Sequence, residues 1–507
     1  MVCVSEALSS EAVPASRLRY HRDVNLRSAS TLLLIALAGC RPSGRGRAAS
    51  PVDPNAYPAC DAPSDPYRPE RSLPGPGAPL WIRRFGCQGD DRAMGLAIAP
   101  NGDVVATGSF VGRVSFGDRV LASGGARDAF VARWNAQGEP LWNVRLGGVN
   151  SEARGTNLAI NARAEVLVAG RFHGVLDATR PQLLSRALDP FLVKVNSDGA
   201  FLWARRFDRA GTSGDGDVPF APDPLGGALL AVGPTERAAR DGFVSRIAAA
   251  GNLPGRVSLP DGHVSSVAVG ADRSVVVAGH AGMTEAPASS GGAGRLRFRL
   301  RPRSQVDSLF VAKYDAGAER VWTRALGGRG TAFGEPLVAV DAAGGIYVAF
   351  AYRGAVDVGT GPVPASGGFD LALSKLDSTG KTIWTRAFPG PQGNEWMNAL
   401  VVDAAGSVAI GGTFERAVDF GGGPIMSAGP ISGYVARFDT LGRHQWSRVF
   451  GGQQSSAVVE DVAIGPRGQV AVAGAFKGWT DFGGGLVPAS GAWDGFVAML
   501  SGSDGQR

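Results

Sequence analysis

The sequence predicts an all-β fold: a seven-bladed β-propeller of four-stranded antiparallel blades, the last blade closed by the N-terminal strand. Three observations predict it. Tryptophan recurs at Trp81, Trp142, Trp203, Trp322, Trp384 and Trp446, at intervals of 61 or 62 residues, with one gap of 119 that leaves room for a unit whose tryptophan is lost. A period of that length marks one supersecondary unit copied along the chain. Each unit holds short runs of Val, Ile and Ala bounded by turn residues, too short for helices. The two ends of the repetitive region are also complementary: Leu80 to Gly86 is a tryptophan strand without its hairpin partner, and Gly495 to Leu500 is a third strand without its tryptophan strand. Pairing them completes a blade and covers two open edges.

The chain has 507 residues with Gly 74 and Pro 32, a balance suited to many short strands joined by turns. The net charge is +6, and the basic residues, mostly arginine, are spread over nearly every unit. Nucleic acid recognition wants one basic face, so no nucleic acid partner is expected.

The amino end reads as an address. Thr31 to Ala38 is an apolar run of eight residues preceded by Arg17, Arg19, Arg22 and Arg27. It is far shorter than the about twenty residues a membrane span needs, and the basic flank suits a signal peptide. Leu37-Ala38-Gly39-Cys40 resembles the bacterial lipobox. That resemblance implies lipidation of Cys40 and removal of residues 1–40. Arg41 follows the cysteine, where an aspartate would signal inner-membrane retention, so an outer-membrane lipoprotein facing the periplasm or the cell surface is expected. Residues 41–79, rich in Pro, Gly, Ser and Ala, read as an extended tether. Cys60 and Cys87 remain as an even pair in an exported chain, which suggests a disulfide; two free thiols are the alternative.

The repeat itself spans residues 80–501, with a short tail over 502–507. Asp128 to Gly138 followed by Leu141 to Gly148 is a strand, a turn and a second strand, which is a hairpin. The same hairpin recurs at Ser308 to Gly328 and at Gly433 to Gly452. Two further strands precede each, as at Leu96 to Ala99 and Asp103 to Gly108. The third-strand aromatics Phe130, Phe191, Phe243, Phe310, Tyr434 and Phe496, with a weaker copy at Phe369, count seven units. The tryptophans are expected to dock between neighbouring blades, where burial of a large apolar side chain is worth roughly 1.5–3 kcal/mol. The alternative, a set of sugar-binding platforms, fits their even spacing poorly. In the third unit Gly255 stands where tryptophan is expected, so that blade is expected to be the least tightly packed.

The Asp-x-Phe-Val-Ala-Lys/Arg strand, the Trp-x-Arg-x-Phe-Gly-Gly strand, and the links Val418 to Gly423 and Thr480 to Gly485 together resemble the bacterial SBBP-type β-propeller repeat. The likeness covers Pro79 to Leu500. It implies an exported or surface scaffold rather than a reaction. Lys375 to Trp384 is also similar to the tryptophan-docking motif of quinoprotein dehydrogenases, without an adjacent cysteine pair.

No catalytic motif is present: there is no nucleophile elbow and no phosphate-cradling loop. His173, His263, His280 and His444 do not stand at zinc-ligand spacing in the sequence, so neither a metal nor a cofactor is expected. Two constellations stand out. Asp91, Glu152, Asp217, Glu335, Glu395 and Glu460 recur just before many first strands, and either ring one mouth of a channel or lie in solvated loops. Arg295, Arg297, Arg299 and Arg301 alternate, which puts them on one face of a strand. Such a face either grips anionic glycan or lipid head groups or is simply solvated. The function expected is a monomeric, lipid-anchored envelope scaffold for an unknown protein partner. A glycan-binding module is the alternative, needing Trp396, Trp479 and Trp493 to cluster, and a quinoprotein-like or hydrolytic enzyme is the least favoured.

Overall fold

The computed structural model describes residues 75–502, except 118, 178–181, 208–217, 233–242, 254, 259–261, 282–308, 328–331, 364, 367 and 392. Seven antiparallel sheets follow one another along the chain. Blades 1 to 6 span residues 92–146, 152–206, 220–258, 262–326, 332–388 and 395–450, and each is a meander in sequence order. Blade 7 takes three strands from residues 456–500 and its fourth from Pro79–Phe85. That N-terminal strand runs antiparallel to Asp494–Leu500, with Trp81 opposite Met499 and Phe85 opposite Gly495. The predicted ring closure is therefore the observed one. Ring contacts begin upstream of Leu80, since Gly77 N donates to Ser501 O at 3.0 Å and Ala78 N to Ser501 Oγ at 3.0 Å.

Burial explains the composition of each strand. The second and third strands are covered on both faces, as in Val104–Phe110 and Asp128–Trp134, where all seven residues are buried. They therefore read as near-continuous apolar runs. Fourth strands are the more exposed, as in Pro140–Leu146, where only Trp142 and Leu146 are buried. First strands carry a β-bulge in blades 1, 2, 4, 6 and 7, at Ala93/Gly95, Gly155/Asn157, Val264/Ser266, Met397/Ala399 and Val459/Asp461. The bulge aims one extra side chain off the ladder.

In five blades the third-strand aromatic stands opposite a glycine, while in blade 3 Phe243 stands opposite Val232. Phe130 faces Gly108, Phe191 faces Gly170, Tyr434 faces Gly412 and Phe496 faces Gly474 across the ladder. A Cβ on Gly108 would stand 2.9 Å from the Phe130 ring and 1.8 Å from Arg92 O. Blade 5 corrects the sequence alignment at Phe369. There the ring sits on the second strand, as Phe350, opposite Ala372 on the third. The bulk has moved across the ladder, and the pair's volume is kept.

The glycine-rich links are small outer hairpins. Arg113–Ser115 pairs with Val120–Ala122, Val356–Asp357 with Pro362–Val363, Ala417–Asp419 with Pro424–Met426, and Trp479–Asp481 with Leu486–Pro488. In three of them an aspartate caps the tip: Asp419 Oδ1 accepts from Gly421 N at 2.7 Å and Gly423 N at 3.0 Å, and Asp357 and Asp481 do the same. The residue after that aspartate turns back into the core, as Phe420 and Phe482, which pack against Tyr434 and Phe496.

Candidate functional site

The six ladder tryptophans lie at the blade seams, each docked on the turn of the next blade. Trp81 packs on Gly138, Trp142 on Gly199, Trp203 on Gly251, Trp322 on Gly380, Trp384 on Gly442 and Trp446 on Gly77. Each of those glycines has a positive φ, between +72° and +86°. A Cβ there would come within 2.6 Å of the indole at Gly138 and 2.9 Å at Gly442. Glycine is thus required twice over, by conformation and by the ring lying on it. Four indole N–H groups donate to the carbonyl two residues before the glycine: Trp81 to Ala136 O, Trp142 to Ser197 O, Trp203 to Ala249 O and Trp322 to Ser378 O, at 2.7–3.1 Å. The arginine two residues after the tryptophan clips the same turn. Arg386 Nε donates to Gly442 O at 3.1 Å and Arg448 Nε to Gly77 O at 3.0 Å.

The seam between blades 3 and 4 differs. Arg246 pairs with Gly255 where five other ladders pair a basic residue, and blade 7 pairs Met499, with tryptophan. A Cβ at Gly255 would meet nothing within 4 Å. On blade 4 the left-handed turn position is Ala318, φ +74°, rather than glycine. The tryptophan and the glycine beneath it are therefore absent together. An open cavity of about 400 Å³ borders this turn, lined by Asp272, Ser274, Lys313, Asp315, Ala316, Gly317 and Val321.

Much of the dispersed basic charge is used inside the blades. The third-strand Lys or Arg pairs with an acid in the turn between the first two strands: Arg133 with Asp103 at 2.8 Å, Lys194 with Glu165 at 2.6 Å, Lys375 with Asp341 at 3.3 Å, and Arg437 with Asp403 at 3.5 Å. Blade 7 has Met499 and Gln469 at these places, so the pair is lost as a unit. Fourth-strand arginines hold an acid on the third strand, as Arg145 does Asp128 at 2.8 Å and Arg206 does Asp189 at 3.3 Å.

Among the described residues the acidic side chains do not stand at one equivalent position in their blades. Asp91 and Glu395 are buried just ahead of the bulges, while Glu460 occupies a bulge and Glu335 the break in the first strand of blade 5. Glu152 is paired to Arg154 at 2.6 Å. Burial pushes the Asp91 carboxyl up to about 7, although Cys87 N and Val111 N donate to it. Burial, with Asp370 and Glu415 nearby, pushes Glu395 up to about 8. Among the described side chains, no three histidine, cysteine or carboxylate groups converge on a metal position.

Several of the residues singled out in the sequence, Cys40, Cys60, Asp217 and the strip Arg295, Arg297, Arg299 and Arg301, lie outside the described residues. Cys87 is disulfide-bonded. Trp396, Trp479 and Trp493 are not brought together. Trp493 is 2% exposed, between Arg92 and Lys477, at 5.0 and 5.3 Å from its ring centre. Trp479 is 58% exposed on the outer hairpin of blade 7, and Trp396 lies on a first strand of blade 6. Trp479, Asp481, Leu486 and Pro488 are all exposed, and the register Trp479–Pro488 and Asp481–Leu486 puts them on one face. Arg113 and Ala417 hold the place of Trp479 in the hairpins of blades 1 and 6.

No protein-family model matches the chain. A stretch of 124 residues, 24% of the chain, is 30% identical to the regulatory protein FlaEY of Caulobacter vibrioides, and the chain spans 13% of that relative's length. Among solved structures the chain is similar to the Dos1 propeller, at 10% identity over 85% of this chain and 96% of that one, with a TM-score of 0.40. It is similar also to a protein of unknown function from Dyadobacter fermentans, at 12% identity over 83% and 99%, TM-score 0.39. A third likeness is to YCF48 bound to the D1 peptide, at 9% identity over 84% and 96%, TM-score 0.40.

Proposed function

We propose that this protein is a lipid-anchored envelope scaffold that binds another protein through the outer wall of its closing blade. The β-propeller is consistent with an interaction scaffold. The observation that carries the reading is the face Trp479, Asp481, Leu486 and Pro488, with Trp479 and Leu486 each 58% exposed. Exposed aromatic and aliphatic side chains on one rigid hairpin supply the anchor that protein interfaces concentrate their energy on. The glycan alternative loses Trp493, which is buried. The anchor rests on Cys40 and the apolar run before it.

The test is photo-crosslinking in cells. A photoreactive residue at position 479 is expected to trap one discrete envelope protein, and the same residue at Ala417 none. Cys40→Ser is expected to release the chain from the membrane fraction. Equal, diffuse labelling at both positions sinks the contact face; membrane retention of Cys40→Ser sinks the anchor.

A further inference from the structure

We propose that one end of the ring rests flat on the surface of a lipid bilayer: the end built by the turns that join first to second and third to fourth strands. Five fourth strands carry an exposed aliphatic residue just before the ladder tryptophan: Leu80, Leu141, Leu202, Val321 and Ile383, each 44–56% exposed. Each stands second in its strand, so all five lie at the turn end. Leu225, Leu253 and Leu441, 46–67% exposed, sit in the turns themselves. Every blade thus supplies at least one such side chain. The tryptophans, each docked on the corresponding turn of the next blade, bring these ends to one level around the ring. Among the described residues, fourteen large apolar side chains are exposed. Eight share this end, five lie on the outward extensions between second and third strands, and Val149 alone stands at the opposite end. Scattered exposed apolar residues need no explanation, but a set confined to one end of a ring does.

The turns are built for a surface poor in water. A backbone N–H taken out of water without a partner is costly. Here the residue that opens the turn bends back to accept two of them. Asn135 Oδ1 accepts from Gln137 N and Glu139 N, and Asn196 Oδ1 from Asp198 N and Ala200 N. Asp377 Oδ1 accepts from Thr379 N and Lys381 N, and Asp439 Oδ1 from Leu441 N and Arg443 N, all at 2.8–3.0 Å. Exposed charges of both signs, Lys381 and Arg443 with Glu139 and Glu319, fringe the apolar positions. Apolar side chains set among charges suit the boundary between head groups and acyl chains.

Two observations favour lipid as the occupant. A protein interface concentrates its energy in one central cluster. These side chains are instead dealt out blade by blade, and only a broad flat surface meets them together. The second is where the chain enters the ring. Gly77, beneath Trp446, holds the place of the turn glycine of the other blades, and Gly77 N donates to Ser501 O. The described chain therefore begins at this same end, and residues 41–74 separate it from Cys40. The inference rests on the lipid anchor proposed above. An anchor holds the face at high local concentration beside the bilayer, so a contact too weak to retain the chain by itself suffices. A ring lying flat turns its outer wall, with Trp479, along the membrane towards neighbouring envelope proteins.

The experiment uses the full chain purified from membranes and reconstituted into vesicles of phosphatidylethanolamine and phosphatidylglycerol. Leu141→Cys, Ile383→Cys and Leu441→Cys are each labelled with an environment-sensitive fluorophore, and Val149→Cys, at the opposite end, is the control. All four side chains are exposed, so the variants keep the fold, checked by circular dichroism. A nitroxide on the upper acyl chain is expected to quench the first three labels and to spare the fourth. The triple variant Leu80→Ser, Leu202→Ser, Val321→Ser is expected to shift the seated-to-free ratio, read at position 383, about tenfold towards the free state. Vesicle flotation separates the two readings. A chain that does not float overturns the anchor and this contact with it. A chain that floats, yet is quenched equally at 141 and 149, leaves the anchor standing and overturns the lipid face. Quenching between labelled copies in place of quenching by lipid assigns the face to a second copy of the chain, and likewise overturns it.

Discussion

Filling the empty seam between blades 3 and 4 tests the account of how the ring is held. At Gly255 a side chain has open space, and Arg246 stands opposite it as Arg133 stands opposite Trp142. Gly255→Trp alone would set an indole over Ala318, whose Cβ occupies the place glycine leaves bare in the other six seams. In those seams a Cβ would lie 2.6–3.1 Å from the ring, as at Gly138 and Gly380. The single variant is therefore expected to gain little. In the double variant Gly255→Trp, Ala318→Gly, the indole can lie flat and donate to Ala316 O, the counterpart of Ser378 O beneath Trp322. Burial of a large apolar side chain contributes roughly 1.5–3 kcal/mol, and replacing glycine in a strand adds up to about 1 kcal/mol. Ordering the indole removes about 1 kcal/mol, and glycine at 318 loosens the unfolded chain by about 0.5–1 kcal/mol. A net gain of about 1.5 kcal/mol is expected. Local opening, rather than global unfolding, is the quantity to read in so long a ring. Hydrogen exchange at 255–258 and 316–319 is expected to slow about tenfold in the double variant. A double-mutant cycle should show coupling of more than about 1 kcal/mol between the two sites. Additive effects, or no protection in the double variant, would refute the docking account.

Two further outcomes follow from the polar networks. Arg133→Met leaves Asp103 with its guanidinium partner gone, and breaking such a buried pair costs about 3–5 kcal/mol. Adding Asp103→Gln, to copy Met499 and Gln469 of blade 7, is expected to restore most of that loss in urea unfolding; a double variant as unstable as the single would contradict it. For Glu395, burial raises the folded carboxyl from 4.5 to about 8, so between those values the folded chain holds a proton that the unfolded chain releases. Its contribution is therefore present below pH 4.5 and is lost as pH rises to about 8, with a slope of about 1.4 kcal/mol per pH unit. Glu395→Gln should flatten the pH dependence of stability across that window, and an unchanged slope would show that Glu395 is not the group responsible.

The sequence by itself determined the number of blades, their order and the way the ring closes. These are written along the chain, in the tryptophan interval, in the turn residues and in the two orphan strands at the ends. Periodicity and turn chemistry are local, so one strand of text carries them. Only the tertiary structure decided what lies across a ladder or a seam. It moved the blade 5 aromatic from Phe369 to Phe350, matched the loss of tryptophan at Gly255 with Ala318, and set His263 against His280. It also separated Trp493 from Trp479, burying one and exposing the other. Those relations join residues tens of positions apart through packing and hydrogen bonds. No interval in the sequence records them, because either partner alone is compatible with its own strand.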